Sequence, residues 1–293
     1  MNIFITGYSG FVGKSILKFF NNHFNFLLFD RKEAININEE IVLHLAGKAH
    51  DLKKTTSNDD YYEVNTELTK KIFTAFLKSK ATVFITLSSV KAVADEFEGV
   101  LTEHCIPNPI THYGKSKLLA EEFILSTIIP QSKRVYILRP SMIHGPGNKG
   151  NLNLLFKIVS KGIPWPLGKF ENKRSFCSID NLCFIIKELI ENENIPSGVY
   201  NIADDIPLST KEVINFISQS QGKTASIWNI PKFLIIFFAR LGDFLNLPLN
   251  TERLVKLTET YIVSNNKIIT AINKQLPLSS KDGLMITFKS FKL

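Results

Sequence analysis

The stretch Gly7-Tyr8-Ser9-Gly10-Phe11-Val12-Gly13 decides how this chain is built. It follows a strand-like run, Asn2–Thr6, and leads into an amphipathic run, Lys14–Asn21. Each glycine has a separate task. Gly7 permits a tight turn, Gly10 lets backbone approach a pyrophosphate, and Gly13 lets the helix pack closely on the sheet. The helix start, with Ser9, Phe11 and Val12 around it, offers N–H groups and the positive end of a dipole to phosphate. A glycine triplet alone could be a plain turn. Here Asp30 stands seventeen residues beyond Gly13, at the end of a second strand-like run, Phe26–Asp30. A carboxylate there can bond an adenine-ribose hydroxyl, so the combination predicts a dinucleotide-binding βαβ unit. Asp30 favours NAD. Arg31 and Lys32 beside it could instead hold a 2′-phosphate, which leaves NADP open.

Working outward, short apolar runs alternate with helical periodicity. Ile41–Ala46, Thr82–Leu87 and Arg134–Arg139 read as strands; Asp59–Lys78 and Tyr113–Ser126 read as helices. This alternation predicts an α/β fold, a Rossmann-like doubly wound parallel sheet. Only a short strand, Ala34–Ile37, has room between Asp30 and Ile41, so the sheet should be shortened at the edge between strands two and four. After Pro140 the pattern changes to loop signals and short elements. The expected organisation is a cofactor domain over residues 1–145, with returning segments near 176–204. An interleaved, smaller α/β substrate-binding region takes up most of 146–293. Pro231–Leu247 is apolar and reads as a helix covering that second region rather than an interfacial one.

The 293 residues, 44% hydrophobic and 21% charged, suit a globular protein with a sizeable core. The net charge of +8 is scattered. It can attract an anionic substrate, but no nucleic-acid reading module accompanies it. Cys105, Cys177 and Cys183 lack metal-ligand spacing and read as reduced thiols of a cytoplasmic protein. The longest apolar run, Phe233–Ala239, is too short for a transmembrane segment.

Tyr113 and Lys117 sit four apart, on one face of a helix. A cation about 4 Å from a phenol contributes roughly 4 kcal/mol at an effective dielectric of ~20, enough to bring the phenol within reach of neutral pH. Such a phenol can take or give a hydroxyl proton. Ser89, just beyond the strand Thr82–Leu87 and next to Ser88, could hold the reacting oxygen.

The chain resembles the extended short-chain dehydrogenase/reductases of the NAD-dependent epimerase/dehydratase family. Thr6–Gly13, His44–Gly47, Thr86–Val90, Tyr113–Lys117, Leu138–Gly147, Asn172–Phe176 and Val199–Asp204 fall in the family's order. It is similar to enzymes of surface-polysaccharide synthesis acting at C4 of UDP-N-acetylhexosamines. The resemblance implies Ser89, Tyr113 and Lys117 as the catalytic set, with Lys117 also holding the nicotinamide ribose. Leu45, Ala46, Gly47, Ser88, Pro140, Ser141 and Met142 would line the cofactor, and Asn65 would support the neighbouring strand. His144 would face the pocket as a wall. Arg174 would clamp the nucleotide diphosphate of a UDP-sugar, with Asn151 and Arg253 as further substrate contacts. A homodimer through the Tyr113 helix is also implied.

Two departures from the family's pattern stand out, one at the adenine and one in the reaction. An Asp that meets adenine is replaced by Asn36 and Asn38 in the shortened segment. Val90 and Lys91 occupy the Asp-Glu positions of sugar 4,6-dehydratases, which argues against dehydration. What is left is hydride transfer at C4: epimerisation leads, a 4-ketoreductase of a UDP-4-keto-6-deoxy sugar follows, and a catalytically inactive nucleotide-binding regulator is the remote reading.

Overall fold

Strand β1 (Asn2–Thr6) is apolar on both faces, as a strand covered from two sides must be. The computed structural model describes residues 1–48, 57–148, 150–245 and 250–291. In chain order β1 is followed by β2 (Asn25–Leu28), β3 (Ile41–His44), β4 (Val83–Leu87), β5 (Val100–Leu101) and β6 (Arg134–Pro140). Then come β7 (Met142–His144), β8 (Phe176–Ser178), β9 (Gly198–Ile202) and β10 (Ile262–Val263). Six strands form one sheet, ordered β2-β1-β3-β4-β6-β9, with every pairing parallel.

The helices that join them are α1 (Phe11–Phe19), α2 (Asn58–Tyr61), α3 (Leu68–Lys78), α4 (His112–Ser126), α5 (Asn151–Ser160) and α6 (Ile179–Glu191). Beyond these lie α7 (Thr210–Ser220), α8 (Lys232–Leu245), α9 (Thr251–Thr258), α10 (Asn266–Ile272) and α11 (Ser280–Ser290). Successive strand residues point to opposite faces, so two cores form. Ile3, Ile5, Leu43, Ile85 and Leu138 pack with Ile16 of α1 and Leu182, Ile186 and Leu189 of α6. Phe4, Val42, Phe84 and Ile137 pack with Ile72, Phe73 and Phe76 of α3 and Ile124 of α4. Each such buried side chain contributes about 1.5–3 kcal/mol.

The shortened edge is present, and it goes further than the sequence suggests. Ala34–Ile37 forms no strand, which leaves β2 as the sheet's edge. Phe29 and Ile37 turn inward to close the α3 side. Asn36 and Asn38 line a groove against Lys70–Lys80, and the Glu40 N–H already reaches the Asn2 carbonyl. Asn38 therefore lies toward the amino end of the sheet, away from the glycine turn. The single helix expected over Asp59–Lys78 contains a π-helical turn, Tyr62–Glu67, between α2 and α3.

The later chain packs as two further clusters. Phe156, Phe176, Ile217, Leu284 and Phe288 join α5, β8, α7 and α11. Trp165, Leu167, Ile214 and Leu254 receive Ile235 and Ala239 of α8. The helix expected over Pro231–Leu247 is α8; its last two expected positions lie outside the described residues. No described helix is long and apolar enough to cross a membrane. Cys177 and Cys183 are buried and Cys105 is half-buried; burial pushes the Cys183 thiol up to about 12.

One buried ion pair bolts α4 to the sheet. Arg139 Nε of β6 lies 3.0 Å from both oxygens of Glu121, and Nη2 lies 2.5 Å from Oε2. The Ser88 hydroxyl donates to Oε1 of the same carboxylate. Removing one member strands the other charge in a dry site. Glu121→Ala should therefore cost about 3–5 kcal/mol in urea unfolding, whereas Glu121→Leu combined with Arg139→Met should cost much less.

Candidate active site

The glycine turn has the shape its sequence implies. Gly7 has φ +70°, and a Cβ there would lie 2.5 Å from Ala46 N. A Cβ on Gly13 would lie 2.4 Å from the Gly7 carbonyl oxygen. Gly10 differs: its Cβ would meet only the Gly7 oxygen, at 3.4 Å, and would otherwise occupy open space before α1. Packing within the protein thus requires Gly7 and Gly13. The bare Gly10 leaves room for a diphosphate. Gly10 caps α1 without a side-chain bond, and no acid stands in the first turn beside Phe11, Val12 and Gly13. Ser9 is exposed at this rim. These groups could hold a dinucleotide. Asp30 and Arg31 are exposed beyond β2, and one Asp30 oxygen accepts the Lys32 N–H at 3.0 Å.

Behind the turn, an oriented hydrogen-bond chain fixes the loop after β3. The Thr69 hydroxyl donates to the Asn65 carbonyl at 2.7 Å, so it accepts from His44 Nε2 at 2.9 Å. His44 Nδ1 then accepts from Thr6 Oγ1 at 2.7 Å, and that oxygen accepts the Ala46 N–H at 3.1 Å. Burial, aided by the Lys117 and Arg31 charges, lowers the His44 pKa to about 3, so the ring is neutral as this chain requires. Leu45, Ala46 and Gly47 follow directly. The Asn65 side chain, turned inward by the π-helical turn, bonds both the N–H and the carbonyl of Lys48 and donates to Ser116.

Ser89 and Tyr113 meet because α4 begins on the turn that Ser89 starts. Ser89 Oγ accepts the Lys91 N–H at 3.2 Å. Thr111 caps α4, and the Asp95 carboxylate takes the Ile110 and Thr111 N–H groups. A Cβ on Gly114 would lie 2.4 Å from the Lys91 carbonyl oxygen, so glycine sets this close seat. The Ser89 hydroxyl lies near enough to the Tyr113 phenol to lower its pKa, and the Tyr113 ring lies edge-on to Tyr61 at 6.1 Å.

The electrostatics depart from the sequence-based expectation. Burial raises the Tyr113 pKa; the nearby Ser89 hydroxyl opposes this, and Lys117 is not among the influences on it. The reason is where the ammonium points. Lys117 Nζ donates to the Leu87 carbonyl at 2.9 Å and lies 2.9 Å from where a Gly47 Cβ would be. Burial lowers Lys117 to about 8, partly offset by Glu121.

Other expected site residues divide sharply. Ser88 spends its hydroxyl on Glu121 and its N–H on the Leu138 carbonyl, so its side chain does not face the cradle. Pro140 ends β6, Ser141 pairs its N–H with Ile202, and Met142 opens β7. Ser141 Oγ is buried and, among the described residues, has no hydrogen-bond partner. His144 is a correction. It is fully buried, with Nδ1 2.9 Å from Thr287 Oγ1 and Nε2 3.3 Å from Asp204 Oδ2, so it ties α11 to β7 rather than standing on an open wall. Asn151 is exposed at the start of α5.

Arg174 is half-exposed and forked onto the C-terminal end of α9. Its Nη2 lies 2.6 Å from Glu259 Oε2, and Nε donates to the Glu259 carbonyl at 3.2 Å. Arg253 stands six residues earlier, in the first turn of the same helix. Lys91, two residues from Ser89, feels both Glu259 and Arg174, and its ammonium lies 4.3 Å from the centre of the Tyr261 ring.

Sequence reasoning passed over Glu121, His44, Asp204 and Glu259. Only His44 and Asp204 carried a signal, as the first and last residues of quoted motifs. Asp204 accepts the Ser178 N–H and the Asn181 amide, and so anchors β8 and α6.

A pH test follows from Lys117. Folded, it titrates near 8; unfolded, near ~10.4. Between those values the unfolded chain binds more protons, so the penalty of burying this ammonium shrinks as pH rises. Wild-type stability relative to Lys117→Met should be flat below pH ~8 and rise up to pH ~10.4 in urea unfolding.

The chain is 31% identical to the UDP-glucose 4-epimerase of Vibrio cholerae, over 99% of this chain and 95% of that protein. It is 28% identical to the N-acetyl-alpha-D-glucosaminyl-diphospho-ditrans,octacis-undecaprenol 4-epimerase of Escherichia coli O157:H7, over 78% and 75% of the two chains. The fold is that of the UDP-N-acetylglucosamine 4-epimerase from Bacillus cereus, with TM-score 0.75, 18% identity and 98% of each chain covered. The family model described as NAD dependent epimerase/dehydratase family matches residues 3–203. The chain is an enzyme of the NAD dependent epimerase/dehydratase family.

Proposed function

We propose that this enzyme interconverts the C4 epimers of a UDP-hexose or UDP-N-acetylhexosamine. The observation that carries the reading is the Ser89 hydroxyl near the Tyr113 phenol, one helical turn from Lys117, in a chain whose glycine turn has room for a diphosphate. The two relatives named as 4-epimerases support it.

A bound nicotinamide dinucleotide supplies a reversible hydride acceptor, and the chain's own residues manage the proton and the geometry. The Ser89 hydroxyl holds the sugar's C4 oxygen while the Tyr113 phenol exchanges the proton with it. Because burial raises that phenol, the protonated form is the resting one; Ser89 donation and an approaching ammonium favour the phenolate. Lys117 supplies that cation if it leaves the Leu87 carbonyl for the nicotinamide ribose, a short swing for a lysine already facing Gly47. The buried Ser141 hydroxyl, with no partner among the described residues, is a donor for the nicotinamide end. Asp30 would bond the adenine ribose.

Arg174 is the diphosphate clamp in this reading, since a guanidinium fork suits phosphate oxygens. It must exchange Glu259 for the phosphate, with Arg253 and Asn151 at the periphery. His144 takes no part. With Val90 and Lys91 in place of an acid pair, the Ser89 turn lacks the groups that would eliminate water.

Incubation with UDP-glucose, UDP-N-acetylglucosamine and a 4-keto-6-deoxy UDP-sugar tests the proposal. Epimer interconversion with no net change in reduced nicotinamide is expected. Stoichiometric consumption of NADH or NADPH by the keto sugar alone would overturn it in favour of a ketoreductase. Tyr113→Phe should lower turnover by about 10²–10⁴-fold while leaving dinucleotide affinity intact; unchanged turnover would remove the mechanism.

A further inference from the structure

Helix α8 meets the rest of the protein through its smallest side. Its buried positions are Ile235, Ala239 and Gly242, which span about 60° at 100° per residue. The opposite arc carries Phe233, Leu234, Phe237, Leu241 and Phe244. Phe233, Phe237 and Phe244 are 68%, 61% and 84% exposed. A solvent-facing helix normally shows the reverse, with large apolar side chains inward and polar ones outward. Trp228, in the segment before α8, is 55% exposed as well.

Cations outnumber acids beside this ridge. Lys232 and Arg240 lie on one side of the apolar arc, at roughly 60° and 140° from Ile235, with Asp243 between them at roughly 80°. Residues 223–257 hold five cations, Lys223, Lys232, Arg240, Arg253 and Lys256, against two carboxylates, Asp243 and Glu252. Asp243 accepts the Thr251 N–H at 3.0 Å, and Glu252 pairs with Lys256 at 2.6 Å. The whole chain carries +8. Two copies docked ridge to ridge would bring these cationic flanks together. A surface that is apolar inside and anionic outside satisfies both parts of the pattern.

We propose that α8 is an interfacial anchor that seats the protein on an anionic phospholipid bilayer. The phenylalanines enter the acyl boundary, Trp228 sits at head-group level, and Lys232 and Arg240 meet lipid phosphates. Helix α9, packed on α8, ends at the Glu259 that holds Arg174.

Flotation of the full chain with vesicles tests this, comparing phosphatidylcholine alone with phosphatidylcholine containing phosphatidylglycerol. Binding is expected only with phosphatidylglycerol, weakening as salt rises. The emission of Trp228, the exposed one of two tryptophans, should shift to shorter wavelength. Phe237→Glu with Phe244→Glu, both on the outward arc, should lower partitioning by at least about tenfold. Lys232→Glu with Arg240→Glu should lower it by about tenfold or more and abolish its salt dependence. Failure of the wild type to float, or equal flotation of the phenylalanine variant, overturns the proposal. A dimer that the phenylalanine variant converts to monomer, without vesicle binding by either protein, assigns the ridge to a second copy instead.

Discussion

The carboxylate of Glu121 has no water to rely on, and α4 stays in place because protein groups replace it. Arg139 supplies the counter-charge from β6, and Ser88 adds a donor from the end of β4. Helices α3 and α6 hold the sheet through Phe and Leu side chains. The inner face of α4 adds polar groups to apolar Ala120 and Ile124: Ser116, Lys117 and Glu121 are buried there too. Such a face adheres only where each group finds a directed partner. Ser116 meets Asn65, Lys117 meets the Leu87 carbonyl, and Glu121 meets Arg139. Directed contacts fix rotation and axial position together. That is what a helix needs if it must bring Tyr113 up to Ser89.

Much of this was legible in sequence, and the reasons are local ones. A glycine that a tight turn demands, or an apolar run that two covered faces demand, depends on neighbours a few residues away. The βαβ unit, the parallel sheet and the short edge all follow from such patterns. What escaped depends on partners far along the chain. Glu121 looks like one more solvent-facing helical acid until β6 brings Arg139 beside it. His144 looks like a pocket residue because its motif lies near the site, yet α11, more than a hundred residues later, closes over it. The phenol's titration was misjudged for a similar reason. Helical spacing put an ammonium near it, but the Leu87 carbonyl, thirty residues upstream, draws that ammonium away.

The loop after β3 shows the same logic on a smaller scale. A neutral imidazole between two threonines gives every donor one acceptor, so the chain from Ala46 to Asn65 has a single direction. Protonating the ring would leave two donors facing each other, and its depressed pKa shows how strongly the site resists that. Loops that carry function are commonly mobile. Residues 45–48 are held, to β1 by Thr6 and to the π-helical turn by Asn65.

The bare sheet edge has a consequence for the protein in concentrated solution. With no strand beyond β2 among the described residues, one side of Asn25–Leu28 has no strand partner there, while Leu27 and Leu28 are roughly half in water. Unsatisfied backbone beside aliphatic side chains is the template on which sheets grow sideways. Here the template is four residues long, too short to guide an extended stranger into register. Brevity alone thus does the work that a covering helix would otherwise do.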